Sequence, residues 1–231
     1  MSMEFDSLVI AAATADLDDE PAARDHADAV EFRMDLAATP LAALDDYGGT
    51  LPVIATNRDP SEGGEADAPE RERLAALEAA SEHDAVGAVD IELASLRDDP
   101  GRQAAATARS NGARVIASVH DFESTPSTAR LDETLARAAD RGDVGKAAVT
   151  ATTPGDALRV LSATHAATER GDRVATMAMG EAGRHTRAVA PLYGSKIGYA
   201  PVDPAEATAP GQYDLATLAD LIDRLGDRQR L

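Results

Sequence analysis

The chain has no cysteine, only two lysines among its 231 residues, and no apolar run that approaches the length of a membrane span. Without cysteine there is no disulfide framework and no thiolate metal site, which fits a reducing compartment. A transmembrane helix needs about 20 consecutive apolar residues, so no bilayer crossing is expected. The opening "MSMEFDSLVIAAATADLDDE" has no basic region ahead of its short apolar run. It therefore reads as a first strand and not as a secretory signal, and a cytoplasmic protein is expected.

Basic groups are scarce too. Lys and Arg number 22 against 41 Asp and Glu, a formal charge of −19. That field repels nucleic acid and anionic membrane surfaces, so neither is expected as a partner. Acidic clusters such as "DLDDE" (16–20) and "SLRDD" (95–99) suit a solvated shell. Little lysine with abundant alanine resembles the composition of proteins from salt-loving archaea, where concentrated salt screens self-repulsion. Ordinary acidity for solubility is the blander alternative.

What is present is a repeating unit. Short apolar runs at 7–13, 29–36, 51–58, 88–93, 114–120, 144–150, 173–179 and 193–199 read as strands. Alanine-rich charged segments with helical spacing lie between them, such as "RERLAALEAASEH" and "GDALRVLSATHAATERG", and "LATLADLIDRL" closes the series. Strands alternating with helices imply parallel strands joined by crossovers, and eight such units predict an α/β fold of the closed (β/α)8 barrel type. An open doubly wound sheet is the rival, but no glycine-rich phosphate fingerprint follows the first strand. No composition break divides residues 1–231, which are long enough for one large core and read as a single catalytic domain. Two connections are long, 59–70 and 200–212; Gly/Pro-rich loops of this kind often serve as lids, and a plain surface loop is the equal alternative.

Strands of a parallel barrel should be apolar on both faces. Several here break that rule on one parity only. Val30, Phe32, Met34 and Leu36 alternate with Glu31, Arg33 and Asp35, and Val89, Ile91 and Leu93 alternate with Asp90 and Glu92. If the apolar set packs on the outer helices, the charges face the barrel interior. Arg58 and His120 end their predicted strands, where barrel active sites are built. Lys146, in "DVGKAAVT" (143–150), shares parity with Val144, Ala148 and Thr150. Buried ion pairs account for one such strand but rarely for five, because each uncompensated charge costs several kcal/mol. A polar active site is the better reading. Desolvation makes an amine lose its proton more easily and turns it into a nucleophile towards a carbonyl.

The segments "EFRMD" (31–35), "NRDPSEGGE" (57–65), "SVHDF" (118–122), "GKAAVT" (145–150) and "ATAPGQ" (207–212) closely resemble, in order and spacing, type I 3-dehydroquinate dehydratase. The resemblance implies a (β/α)8 barrel that dehydrates 3-dehydroquinate to 3-dehydroshikimate in the shikimate pathway. It also implies no metal or organic cofactor, and a homodimer. By motif, Lys146 matches the Schiff-base lysine, His120 the general acid and base, and Glu62 the carboxylate that orients this histidine. Histidine suits both proton-transfer roles because its ordinary pKa is about 6.5. Arg187, in "GRHTR", resembles the arginine that grips the substrate carboxylate, with Thr208 and Gln212 closing over the same group. Glu31, Arg33 and Arg58 resemble the residues facing the ring hydroxyls; a structural charge network is the alternative, and both roles are open to some of them. Arg184 competes with Arg187, Lys196 reads as solvated or structural, and Asp90 and Glu92 as support.

Some positions depart from the family pattern. Thr208 stands where many members have serine, Ala11 to Ala13 offer no hydroxyl, and Gly145 precedes the lysine. Two other functions share features of this pattern. A class I aldolase-type barrel would also use Lys146, and a barrel without catalysis would bind a metabolite for regulation.

Overall fold

A computed structural model of the chain describes residues 3–203, 205, 208–226 and 231. Eight strands run in chain order: β1 Val9–Thr14, β2 Ala29–Arg33, β3 Val53–Thr56, β4 Val86–Glu92, β5 Arg114–Asp121, β6 Val144–Thr150, β7 Val174–Met179 and β8 Ile197–Pro201. Each is followed by its helix: α1 Glu20–Ala23, α2 Pro40–Asp45, α3 Glu70–Ala80, α4 Asp99–Ser110, α5 Thr128–Arg141, α6 Pro154–Glu169, α7 Thr186–Val189 and α8 Leu215–Leu225. The strands form one parallel sheet in the order β7-β6-β5-β4-β3-β2-β1-β8. A single parallel bridge, Val174 to Ser195, brings its two edges together, with the Lys196 amide donating to the Val174 carbonyl at 2.7 Å. The result is the expected (β/α)8 barrel, nearly closed.

Local chemistry explains the longer helices. Thr153 and Asp156 form a reciprocal capping box at the start of α6, and Asp214 accepts from the Thr217 amide at 2.9 Å at the start of α8. Helices α1, α2 and α7, of four to six residues, were not predicted; they are too short to show a helical period. The eighth strand is the largest correction. Residues 190–193 form a 3-10 turn that ends in Gly194 at φ +100°, a left-handed conformation glycine adopts without strain, so the strand starts at Ile197 and not at Tyr193. Strands β2 and β3 are also shorter than expected, ending at Arg33 and Thr56. Arg58 thus lies two residues past its strand, and His120 is the penultimate residue of β5.

Strand parity sorts the core into layers. Val30, Phe32, Val89 and Ile91 pack outward with Leu74, Leu77 and Ala104 of the surrounding helices. Val9, Ala29, Ile54, Ala88, Ile116, Val144 and Ile197 point inward and fill the barrel with apolar side chains, joined by Met3 and Phe5. Above this layer the inward positions turn polar. The long connection at 59–70 begins as a 3-10 turn, Pro60–Glu62, capped by the Asp59 side chain and ended by Gly63 at φ +84°. In the other long connection, residues 204, 206 and 207, among them Ala207 of "ATAPGQ", lie outside the described residues.

Candidate active site

One face of each strand delivers side chains to the C-terminal mouth of the barrel. Asp90 of β4 is the centre of the charge network. Its Oδ2 accepts from Lys146 Nζ at 2.9 Å, while its Oδ1 accepts from Ser118 Oγ at 2.5 Å and faces Arg58 Nη2 at 2.9 Å. Burial alone would raise the Asp90 carboxyl, but Arg58 and Lys146 beside it hold it well below the usual carboxylate range. Arg58 Nη1 donates to Glu92 Oε1 and to Ser118 Oγ, both at 2.8 Å. Arg73 of α3 donates through Nη1 to Glu92 Oε2 at 2.8 Å and to the Asn57 carbonyl at 2.7 Å. Glu31 Oε1 lies 3.7 Å from Lys146 Nζ and accepts from Thr56 Oγ1 at 3.1 Å. Three buried cations, Lys146, Arg58 and Arg73, therefore face three buried carboxylates, Glu31, Asp90 and Glu92. Such a group persists in a dry interior only because every charge has a partner.

A second cluster forms where the 59–70 connection meets β5. Glu62 Oε2 accepts from the His120 backbone amide at 2.9 Å and lies 3.0 Å from the ring Nδ1. Burial pushes the Glu62 carboxyl up to about 7, with Arg58 opposing the rise. Burial, together with the cations Arg58 and Lys146, keeps the His120 imidazole well below its ordinary value. The ring is therefore uncharged at neutral pH and has a lone pair to accept a proton. On β2, Arg33 makes two bonds to Asp35, at 2.8 and 2.6 Å.

The third cluster comes from α7 and the last connection. Buried Arg187 donates to the Pro210 carbonyl at 3.2 Å, and the Ala209 amide donates to Gln212 Oε1 at 3.1 Å. Burial lowers the Arg187 guanidinium to about 10, which leaves it cationic at neutral pH.

All nine residues expected at the site, Lys146, His120, Glu62, Glu31, Arg33, Arg58, Arg187, Thr208 and Gln212, line one cavity. Arg184 does not line it; its guanidinium lies 4.2 Å from the ring centre of Tyr213. Lys196 Nζ bonds instead to the carbonyls of Asp6 and Leu231. Among the described residues no three His, Cys, Asp or Glu side chains are grouped to hold a metal ion. Four contributors carry no mark in the sequence analysis. Ser118 was legible, lying two residues before His120 on the same strand parity. Tyr199 and Phe122 also line the cavity, and Arg73 reaches the network from a helix, with no local signal to mark it.

A family model described as type I 3-dehydroquinase matches residues 5–228. A 3-dehydroquinate dehydratase of Haloarcula marismortui is 59% identical over 227 residues, covering 96% of this chain and 98% of the relative. One from Haloquadratum walsbyi is 56% identical over 232 residues, covering 97% and 95%. Among solved structures, the 3-dehydroquinate dehydratase of Geobacillus kaustophilus superposes with a TM-score of 0.85 at 26% identity, covering 95% of this chain and 91% of that one. The chain is a member of the type I 3-dehydroquinases, a hydro-lyase family carried here on a (β/α)8 barrel.

Proposed function

We propose that this barrel dehydrates 3-dehydroquinate to 3-dehydroshikimate through a Schiff base on Lys146. The observation that carries the mechanism is that Lys146 and the uncharged imidazole of His120 open into one buried cavity. Lys146 passes one proton to His120 and attacks the ketone carbon as the free amine; that oxygen takes the proton back from His120, takes a second from the nitrogen and leaves as water, so an iminium remains on Nζ. His120 takes the proton from the carbon beside it, and the electron pair of that bond moves to the nitrogen as an enamine. The enamine then expels the β-hydroxyl, which leaves as water with the proton His120 holds. Water returns to the conjugated iminium, releasing the enone and the amine. One water is lost overall.

The remaining residues hold the molecule and the base. Glu62 fixes the ring of His120 and stabilises its charged form. Arg187 grips the carboxylate, with Thr208 and Gln212 over it, and Glu31, Arg33 and Arg58 meet the hydroxyls. Asp90 and Glu92 support these cations and are assigned no chemical step. We read residues 1–231 as one catalytic domain that works in the cytoplasm as a homodimer, without metal or organic cofactor and without nucleic-acid partners. Among the described residues no helix is long and apolar enough to cross a membrane.

Borohydride added with 3-dehydroquinate should reduce the imine and leave covalent mass on Lys146, and Lys146→Ala should abolish it. Labelling at Lys196, or none in the native protein, rejects the mechanism. Sedimentation in concentrated salt tests the dimer.

A further inference from the structure

We infer that Tyr199 is a further residue of the reaction: its ring face supports the cation carried by Lys146 Nζ, and its hydroxyl binds an oxygen of the substrate. This rests on the Schiff-base reading above. Tyr199 points inward from β8, is 4% exposed and lines the cavity. Lys146 Nζ lies 4.2 Å from the centre of its ring. A cation at that distance over an aromatic face is attracted by the ring quadrupole, most strongly where water is excluded. The iminium places its positive charge on the same nitrogen, so the ring stabilises the intermediate.

The hydroxyl gives the second argument. Tyr199 Oη is buried and has no hydrogen-bond partner, the one hydroxyl in that condition among the described residues. A buried donor left unpaired costs free energy that phenylalanine, of nearly the same shape, would avoid. The neighbouring polar side chains are already engaged: Asp90 holds Arg58, Lys146 and Ser118, and Glu31 holds Thr56. Burial, with Glu31 and Asp90 nearby, pushes the phenol well above its ordinary range, so it stays protonated and can only gain by donating. A bound polyhydroxylated ketone supplies the missing acceptor.

Two variants separate ring from hydroxyl. Tyr199→Phe keeps the ring, and its KM for 3-dehydroquinate should rise by roughly three- to ten-fold with kcat little changed, as for loss of one neutral hydrogen bond. Its Tm should not fall, because the hydroxyl supports nothing in the free protein; a purely structural tyrosine would lower Tm and leave KM alone. Tyr199→Leu removes the ring as well, and the rate of borohydride-trapped imine formation should drop by roughly ten- to thirty-fold. Native KM in Tyr199→Phe overturns the hydroxyl's role, and native trapping in folded Tyr199→Leu overturns the ring's. If the native protein itself fails to trap at Lys146, it is the Schiff-base reading that falls; if it traps and both variants match it, only the inference about Tyr199 falls.

Discussion

Glu62 Oε2 sits 2.9 Å from the backbone nitrogen of His120 and 3.0 Å from its ring Nδ1, so one carboxylate oxygen holds both the strand and the imidazole it carries. The ring cannot turn without breaking the contact. With the hydrogen on Nδ1, the Nε2 lone pair is left for the substrate. Acid–base chemistry at this site is therefore a property of the pair, and the pair titrates together.

Glu62→Gln should lower kcat by roughly ten-fold or more, since a neutral amide holds the ring but does not support the imidazolium. In the native protein kcat/KM should fall on the acid side as the pair takes up a proton near pH 7, and this limb should move in the variant. Stability should respond in the opposite sense. The folded carboxyl has its pKa at about 7 against an ordinary 4.5, so below pH 4.5 both states are protonated and Glu62 contributes nothing. As pH rises from 4.5 to 7, the folded state alone resists ionisation and loses stability. Above pH 7, Glu62→Gln should thus melt higher than the native protein while turning over more slowly; a lower Tm there contradicts the assigned burial cost.

His120→Ala should still form imine with 3-dehydroquinate, detected as borohydride-dependent mass on Lys146. Turnover should drop by about 10²- to 10⁴-fold, the usual worth of a positioned general acid–base. Native turnover would remove His120 from the mechanism.

Arg187→Ala removes a buried cation and the donor to the Pro210 carbonyl. Charge-assisted hydrogen bonds contribute about 1.5–3 kcal/mol, so KM should rise by roughly ten- to a hundred-fold. Arg184→Ala, in the turn before the same helix and packed on Tyr213 away from the cavity lining, should leave KM within about two-fold. A reversal of these two results would hand the carboxylate to Arg184.

The formal charge of −19 should make the fold depend on salt. At 0.01 M ionic strength the screening length is about 30 Å and the acidic shell repels itself across the molecule, whereas at 1 M it is about 3 Å. Tm measured by calorimetry should rise steadily with potassium chloride; a Tm indifferent to salt contradicts this.

Much of the barrel was written locally. Period-2 alternation around Glu31, Arg33, Asp90 and Glu92 depends only on neighbouring residues, and it correctly separated the inward face from the outward one. The eighth strand was misplaced because "YGSKIGY" has strand-like composition throughout, while the turn at Gly194 arises only once the chain has crossed from α7.

By itself, the sequence determined the strand–helix alternation, the parity of the charged positions and the residue types offered to the mouth, because each follows from chain geometry over a few residues. The pairings came from tertiary structure alone. Asp90 between Lys146 and Arg58, Glu62 beneath His120 and Tyr199 under the lysine join residues 32 to 58 positions apart. Ring closure fixes such distances, and no local pattern encodes which of several acids will meet which base.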